Sequence, residues 1–239
     1  MTETDKNIGS HLVAILEKEF SGTCAASEDI ETGNTKNKSD ALWKIDPIDG
    51  TINFSRGIPL YSVSVALERQ GQPVLAAVYD PFDNVILIAT SDRRLISYNR
   101  DSRSFIRNAP TRPNVRDVNS SLISVMITPK MSTHARALSY ALIEHSVRHT
   151  LGVRILVSHA LEATYLARQR LDAVVVLEGK DGWTWSTAAL FARASGGRAF
   201  SISDRKTGRP GLLLSSRSKL AEFLTEWLET VDLKCLEER

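Results

Sequence analysis

From Tyr61 the chain alternates. Tyr61, Val63, Val65 and Leu67 fall on every second position and would share one face of a strand. Gly71 marks a turn, residues 74–79 read as a second strand, DPFDN at 80–84 as a turn, and residues 85–90 as a third strand. Residues 95–98 and 104–107 read as a shorter hairpin. Consecutive strands joined by short turns predict an antiparallel sheet. Residues 108–119 hold two prolines and little that is apolar, which predicts a boundary there.

Beyond that boundary the texture changes. Strands are expected at 122–127, 154–157, 171–177, 199–202 and 212–214, and helices at 133–146, 159–169, 185–195 and 219–228. Strand–helix alternation argues for an α/β half. Ahead of the first sheet, Ile8, Leu12, Ile15, Leu16 and Phe20 recur at helical spacing over residues 5–20, and Ser21-Gly22 ends that helix. Residues 29–41 are polar and read as an exposed loop. Two halves result, 1–118 and 119–239, in an α/β chain whose N-terminal half is α+β.

The sharpest local feature is Asp46-Pro47-Ile48-Asp49-Gly50-Thr51, directly after a short strand at 42–45. Two carboxylates three residues apart, across a proline, are expected on a tight loop that aims both at one point. Hard divalent cations take such oxygens and leave other positions to water and phosphate. Gly50 lets backbone approach a ligand, and a helix opening at Thr51 would turn N–H groups towards a phosphate. The competing reading is a turn whose acids cap their own backbone.

The longer stretch WKIDPIDGTINF resembles the signature of the inositol monophosphatase family of magnesium-dependent, lithium-sensitive phosphatases. Thr2 to Asp5 resembles the family's T-x-T-D segment, and Ser27-Glu28-Asp29 stands where the family has Gly-Glu-Glu, 18 residues before Asp46. Leu171-Asp172-Ala173, residues 183–197 and residues 211–216 resemble its later strands and helix. The resemblance implies a layered αβαβα sandwich of the sugar-phosphatase type, and a homodimer. It also implies that Glu28, Asp46 and the Ile48 carbonyl hold one Mg²⁺, and that Asp46 bridges to a second, which Asp49 also binds. Gly50 and Thr51 would offer amides to the phosphate. The Thr51 hydroxyl, oriented by Asp5, would help activate water, with Glu28 in the same catalytic set.

Some positions depart from the family. Its second motif has Trp-Asp, whose Asp binds the second metal; here Trp183 precedes Thr184, a weaker neutral ligand. Asp181 lies three residues earlier and could substitute. Glu178 lies near the position of a sugar-hydroxyl ligand, at a different spacing from Asp172. The expected activity is phosphomonoester hydrolysis on a small polyol or sugar phosphate, with a weakened second metal site. The alternative is a degenerate family member that binds a phosphorylated ligand or a protein without turnover.

Charge and composition narrow the partners. Lys plus Arg number 30 and Asp plus Glu 28, a net charge of +2, which leaves no footprint of a dedicated nucleic-acid binder. Arg93, Arg94, Arg100, Arg103, Arg107, Arg112 and Arg116 are locally dense, with Tyr98 and Phe105 among them. They read as a solvated sheet face, as a backbone-tracking surface, or as an anion site. Two cysteines, a polar N-terminus and no long apolar run predict a cytoplasmic protein without membrane spans. His145 and His149 have metal-ligand spacing but no third ligand near them in sequence. His159 reads as a polar residue at a helix start, near the edge of the site.

Overall fold

The structure is a computed structural model that describes residues 3–28, 40–107, 117–179, 183–205 and 207–237, with the side chains of Arg107, Trp183, Thr184 and Ser186 outside that description. The elements in order are α1 (Glu3–Glu19), β1 (Cys24–Ser27), β2 (Ala41–Asp49), α2 (Thr51–Ser55), β3 (Ser62–Arg69), β4 (Gln72–Asp80), β5 (Val85–Thr90), β6 (Leu95–Asn99) and β7 (Ser104–Arg107). A single 3-10 turn at Val118–Ser120 precedes β8 (Leu122–Val125), α3 (Thr133–His149), β9 (Gly152–Arg154), α4 (His159–Ala167) and β10 (Ala173–Val176). The chain closes with α5 (Trp183–Ala194), β11 (Arg198–Asp204), β12 (Pro210–Ser215), α6 (Ser218–Thr230) and β13 (Leu233–Glu237). The chain forms mixed sheets with helices in an α/β sandwich.

Two compact units emerge. The first contains the described residues up to 107 together with 158–161 and 183–191; the second contains 117–157, 162–179 and 192–237. In the first, seven strands run β1 to β7 in sequence order. β1 pairs parallel to β2 and every later pair is antiparallel. The alternation seen in sequence is the burial pattern of β3, where Ser62, Ser64, Ala66 and Glu68 face inward. The larger apolar set, Val65 and Leu67, lies on the other face. There it packs with Leu12, Val13 and Leu16 of α1 on Ala25, Trp43 and Ile45.

The second unit holds a six-stranded sheet ordered β13-β11-β12-β10-β8-β9. β8, β9 and β10 run parallel, and β12, β11 and β13 join antiparallel. All four residues of β10 are buried, as is expected of a strand covered on both faces. Leu220, Ala221, Leu224 and Leu228 form the buried stripe of α6 and pack on Ile123, Val175 and Leu213.

Several expectations change. The Asp46–Asp49 stretch is no loop: β2 runs through it, and its pairing with β3 shifts register between Asp46 and Asp49. A bulge tolerates Pro47, which has no N–H for the ladder. The strand expected at 154–157 lies instead at Gly152–Arg154, because Val157 adopts a left-handed φ of 59° that turns the chain into α4. β1 and β13 lie where the sequence shows no strand periodicity. Most of the loop expected at 29–41, and residues 108–116 of the boundary segment, lie outside the described residues. Among the described residues no helix is long and apolar enough to cross a membrane.

Candidate active site

The register of β1 and β2 creates the site. Ser27 pairs with Ile45 in a parallel ladder, so the next residues, Glu28 and Asp46, leave it side by side. The Glu28 N–H donates to the Ile45 carbonyl at 3.0 Å, which fixes that corner. Glu28 is exposed, whereas Asp46 and Asp49 retain 8% and 6% of their surface.

Gly50 then reverses the chain with φ 89°. A Cβ there would stand 2.8 Å from the Leu60 carbonyl and 3.1 Å from the Ser158 Cβ, so glycine is required twice over, by conformation and by space. α2 opens at once on Thr51. The Thr51 hydroxyl donates to the Ile48 carbonyl at 3.0 Å. Asp5 is fully buried in the first turn of α1. Asn53 locks the far side of the turn by donating to the Leu60 carbonyl at 2.7 Å.

Asp49 has partners that the sequence did not announce. Its carboxylate accepts from the Ser158 hydroxyl, from the His159 N–H at 3.2 Å and from the Ala160 N–H at 2.9 Å. These are the leading groups of α4, whose first N–H groups have no partner inside the helix. A serine opening a helix is visible in sequence as a capping signal. That its cap is an acid 109 residues earlier is not. Val157, a β-branched residue held at positive φ, delivers these groups to Asp49.

The electrostatics follow. Among the described residues no lysine or arginine pairs with Asp49, and all three of its donors are neutral dipoles. Burial pushes the His159 imidazole below its ordinary value, the Asp49 carboxylate pulling the other way, and its Nε2 is buried without a hydrogen-bond partner. A buried carboxylate costs several kcal/mol unless a cation accompanies it. Two buried carboxylates, an acid at the adjacent strand end and a backbone carbonyl are the hard oxygen donors that magnesium takes, so the residues fit that ion. Among the described residues no three His, Cys, Asp or Glu side chains are gathered in a group that could hold a metal ion. The Thr184 side chain and all of Asp181 lie outside the description.

Glu178 is placed in the second unit. It accepts from the Ser132 N–H at 2.9 Å, the Ser132 hydroxyl at 2.6 Å and Arg209 Nη1 at 2.7 Å. Those bonds hold its carboxyl below the ordinary glutamate range against the opposing effect of burial. His145 stacks on Phe223 at 4.9 Å and on Trp227 at 5.8 Å, so its ring belongs to an aromatic cluster between α3 and α6.

The family model described as the inositol monophosphatase family matches residues 1–232. An inositol-1-monophosphatase of Rhizobium meliloti (strain 1021) is 30% identical over 192 residues, 78% of this chain and 67% of the relative. A Nus factor SuhB of Pasteurella multocida (strain Pm70) is 28% identical over 199 residues, 82% of this chain and 70% of the relative. Among solved structures, Mycobacterium tuberculosis SuhB superposes with a TM-score of 0.77 at 24% identity, covering 95% of this chain and 83% of that one. That likeness is one of fold. With the strand-end acids, the glycine turn and the match over nearly its full length, the chain belongs to the inositol monophosphatase family.

Proposed function

We propose that the chain is a magnesium-dependent phosphomonoesterase that hydrolyses a small polyol or sugar phosphate. The observation that carries the reading is Asp49: a buried carboxylate beside buried Asp46, met only by neutral donors, at a turn that only glycine can make. Such a site gains from a cation, and a phosphate brought to that cation would be neutralised in turn. Glu28, Asp46, Asp49 and the Ile48 carbonyl would hold the metal. When bound, the metal supplies Lewis acidity and a water acidic enough to attack at neutral pH.

The chain's own residues do the positioning. Gly50 and Thr51 offer backbone amides to the phosphate. Thr51 would orient the attacking water, with Asp5 of α1 as its expected partner. Phosphoryl transfer needs little else from the protein than such placement and charge. Thr184, a neutral oxygen where the family has an acid, would weaken the second metal site.

The second reading is a phospho-ligand or protein-binding module without turnover. Thr184 favours it, and relatives such as the Pasteurella multocida protein carry the name Nus factor. One assay separates the two: phosphate release from a panel of small phosphomonoesters, titrated with Mg²⁺ from micromolar to tens of millimolar. Release that saturates only at high Mg²⁺ supports the enzyme. It should fall at least ~1000-fold in Asp46→Asn, about 4 kcal/mol at the barrier. No release by folded protein at any Mg²⁺ supports the module, and near-normal turnover in Asp46→Asn overturns the assignment of the bridging acid.

A further inference from the structure

The strand next to the acidic motif places a hydroxyl beside Asp49. Ser62 opens β3, is fully buried, and is the residue that pairs with Asp49 across the β2–β3 ladder. Its Oγ is buried and has no hydrogen-bond partner among the described residues. We propose that Ser62 is a positioning residue for the metal edge, its hydroxyl donating to the Asp49 carboxylate when a cation is held there. The proposal rests on the reading of Asp49 as a metal ligand.

Register places the two groups together. Residues directly opposite in an antiparallel pair point to the same face, with Cβ atoms about 5 Å apart. The Ser62 hydroxyl and the Asp49 carboxylate both extend from that face. Rotation about the Ser62 Cα–Cβ bond is the motion that joins them. The carboxylate is unevenly used. Oδ2 accepts from the Ser158 hydroxyl and from the Ala160 N–H at 2.9 Å, whereas Oδ1 accepts from the His159 N–H at 3.2 Å. Oδ1 is therefore the oxygen with room for a further donor.

A second carboxylate flanks Ser62. Val63 pairs with Tyr79, which brings Asp80 next to Ser62 on the other side. Asp80 serves its own turn: Oδ1 accepts from the Phe82 N–H at 3.0 Å and the Asp83 N–H at 3.2 Å. Asp49 is the acid whose surroundings change when a cation arrives.

The cost of the serine supports a role. A buried hydroxyl without a partner destabilises the fold, and such a group in a native structure calls for an explanation. Alanine would avoid that cost, and the same inward row of β3 uses it at Ala66, which is equally buried. Carboxylates that bind metals are themselves held by hydrogen bonds, and losing such a partner weakens the metal by about 10- to 100-fold.

The test is thermal melting of the full chain across a Mg²⁺ titration, for wild type, Ser62→Ala and Ser146→Ala. Ser146 is the control: it lies on α3 in the other unit, fully buried, and its Oγ also has no partner among the described residues. Without Mg²⁺ both variants should melt at or above the wild-type temperature, since each loses an unpaired hydroxyl. Ser62→Ala should need about tenfold more Mg²⁺ than wild type for the same rise in melting temperature. Ser146→Ala should follow the wild-type Mg²⁺ response. A Ser62→Ala variant with the wild-type Mg²⁺ response overturns the proposal. So does a lower metal-free melting temperature, which would make Ser62 a structural partner of Asp80 or Asp49 already. So does an equal loss of Mg²⁺ response in Ser146→Ala. Wild type that gains nothing from Mg²⁺ overturns the metal reading itself, and the role of Ser62 with it.

Discussion

Asp49 in the first unit and Glu178 in the second use the same device and end in opposite states. Each is a carboxylate retaining little exposed surface, 6% for the Asp49 residue and 12% for the Glu178 side chain. Each accepts three hydrogen bonds, and each meets the start of a helix: α4 for Asp49, and the Ser132 cap of α3 for Glu178. Glu178 also has Arg209 at 2.7 Å. Asp49 has only N–H and O–H dipoles. The first acid is therefore left wanting a cation and the second is not. A count of hydrogen bonds would rank them alike; the charge of the donors separates a poised site from a finished structural joint.

Asp49→Asn breaks this comparison most sharply. Asparagine keeps an acceptor oxygen for α4 and removes the charge. In metal-free buffer its melting temperature should match or exceed that of the wild type. Added Mg²⁺ should then stabilise only the wild type, by about 1.4 kcal/mol at ten times Kd. Phosphatase activity should fall ~100-fold or more, as expected when a metal ligand is lost. Asp49→Ala removes the cap too and should cost about 2 kcal/mol of stability. Equal Mg²⁺ stabilisation of the wild type and Asp49→Asn would show that Asp49 is a structural joint like Glu178.

Thr184→Asp sharpens the comparison from the other direction, adding charge to the motif the family uses for its second metal. The Mg²⁺ concentration for half-maximal phosphate release should fall by about tenfold, roughly 1.4 kcal/mol of metal affinity. An unchanged midpoint would mean that position 184 is not the missing ligand.

The first sheet and the acidic motif were legible because each rests on local chemistry. Tyr61 to Leu67 alternate because one strand has two faces, and Asp46 to Thr51 stand together in sequence as they do in space. The bulge was not legible, since Pro47 reads locally as the end of a strand and only the register with β3 shows the strand continuing. β1 was missed because four residues, Cys24–Ser27, are too few to show a period. The 154–157 strand was misplaced because Ile155, Leu156 and Val157 are apolar while the path to α4 demands a left-handed residue. The capping of α4 by Asp49 spans 109 residues, a distance over which one sequence carries no pairing signal. What the sequence hid is thus the geometry that distinguishes one buried acid from another.

Glu178→Gln is the smallest and most specific of these tests. The Ser132 and Arg209 hydrogen bonds hold the Glu178 pKa below its ordinary 4.5. A carboxylate whose pKa is depressed on folding stabilises the native state above its unfolded pKa, and that contribution is lost as pH falls through the folded pKa. Wild type should therefore be more stable than Glu178→Gln near neutral pH, by about 1 kcal/mol for a charge-assisted bond reduced to a neutral one. The two melting curves should converge as pH drops below about 4.5. Arg209→Gln should reproduce the neutral-pH loss, and adding it to Glu178→Gln should cost little more, since both remove one interaction. A difference between Glu178→Gln and wild type that persists unchanged into acid would mean that the joint depends on side-chain shape. Glu178 would then lose the charge pairing that sets it apart from Asp49.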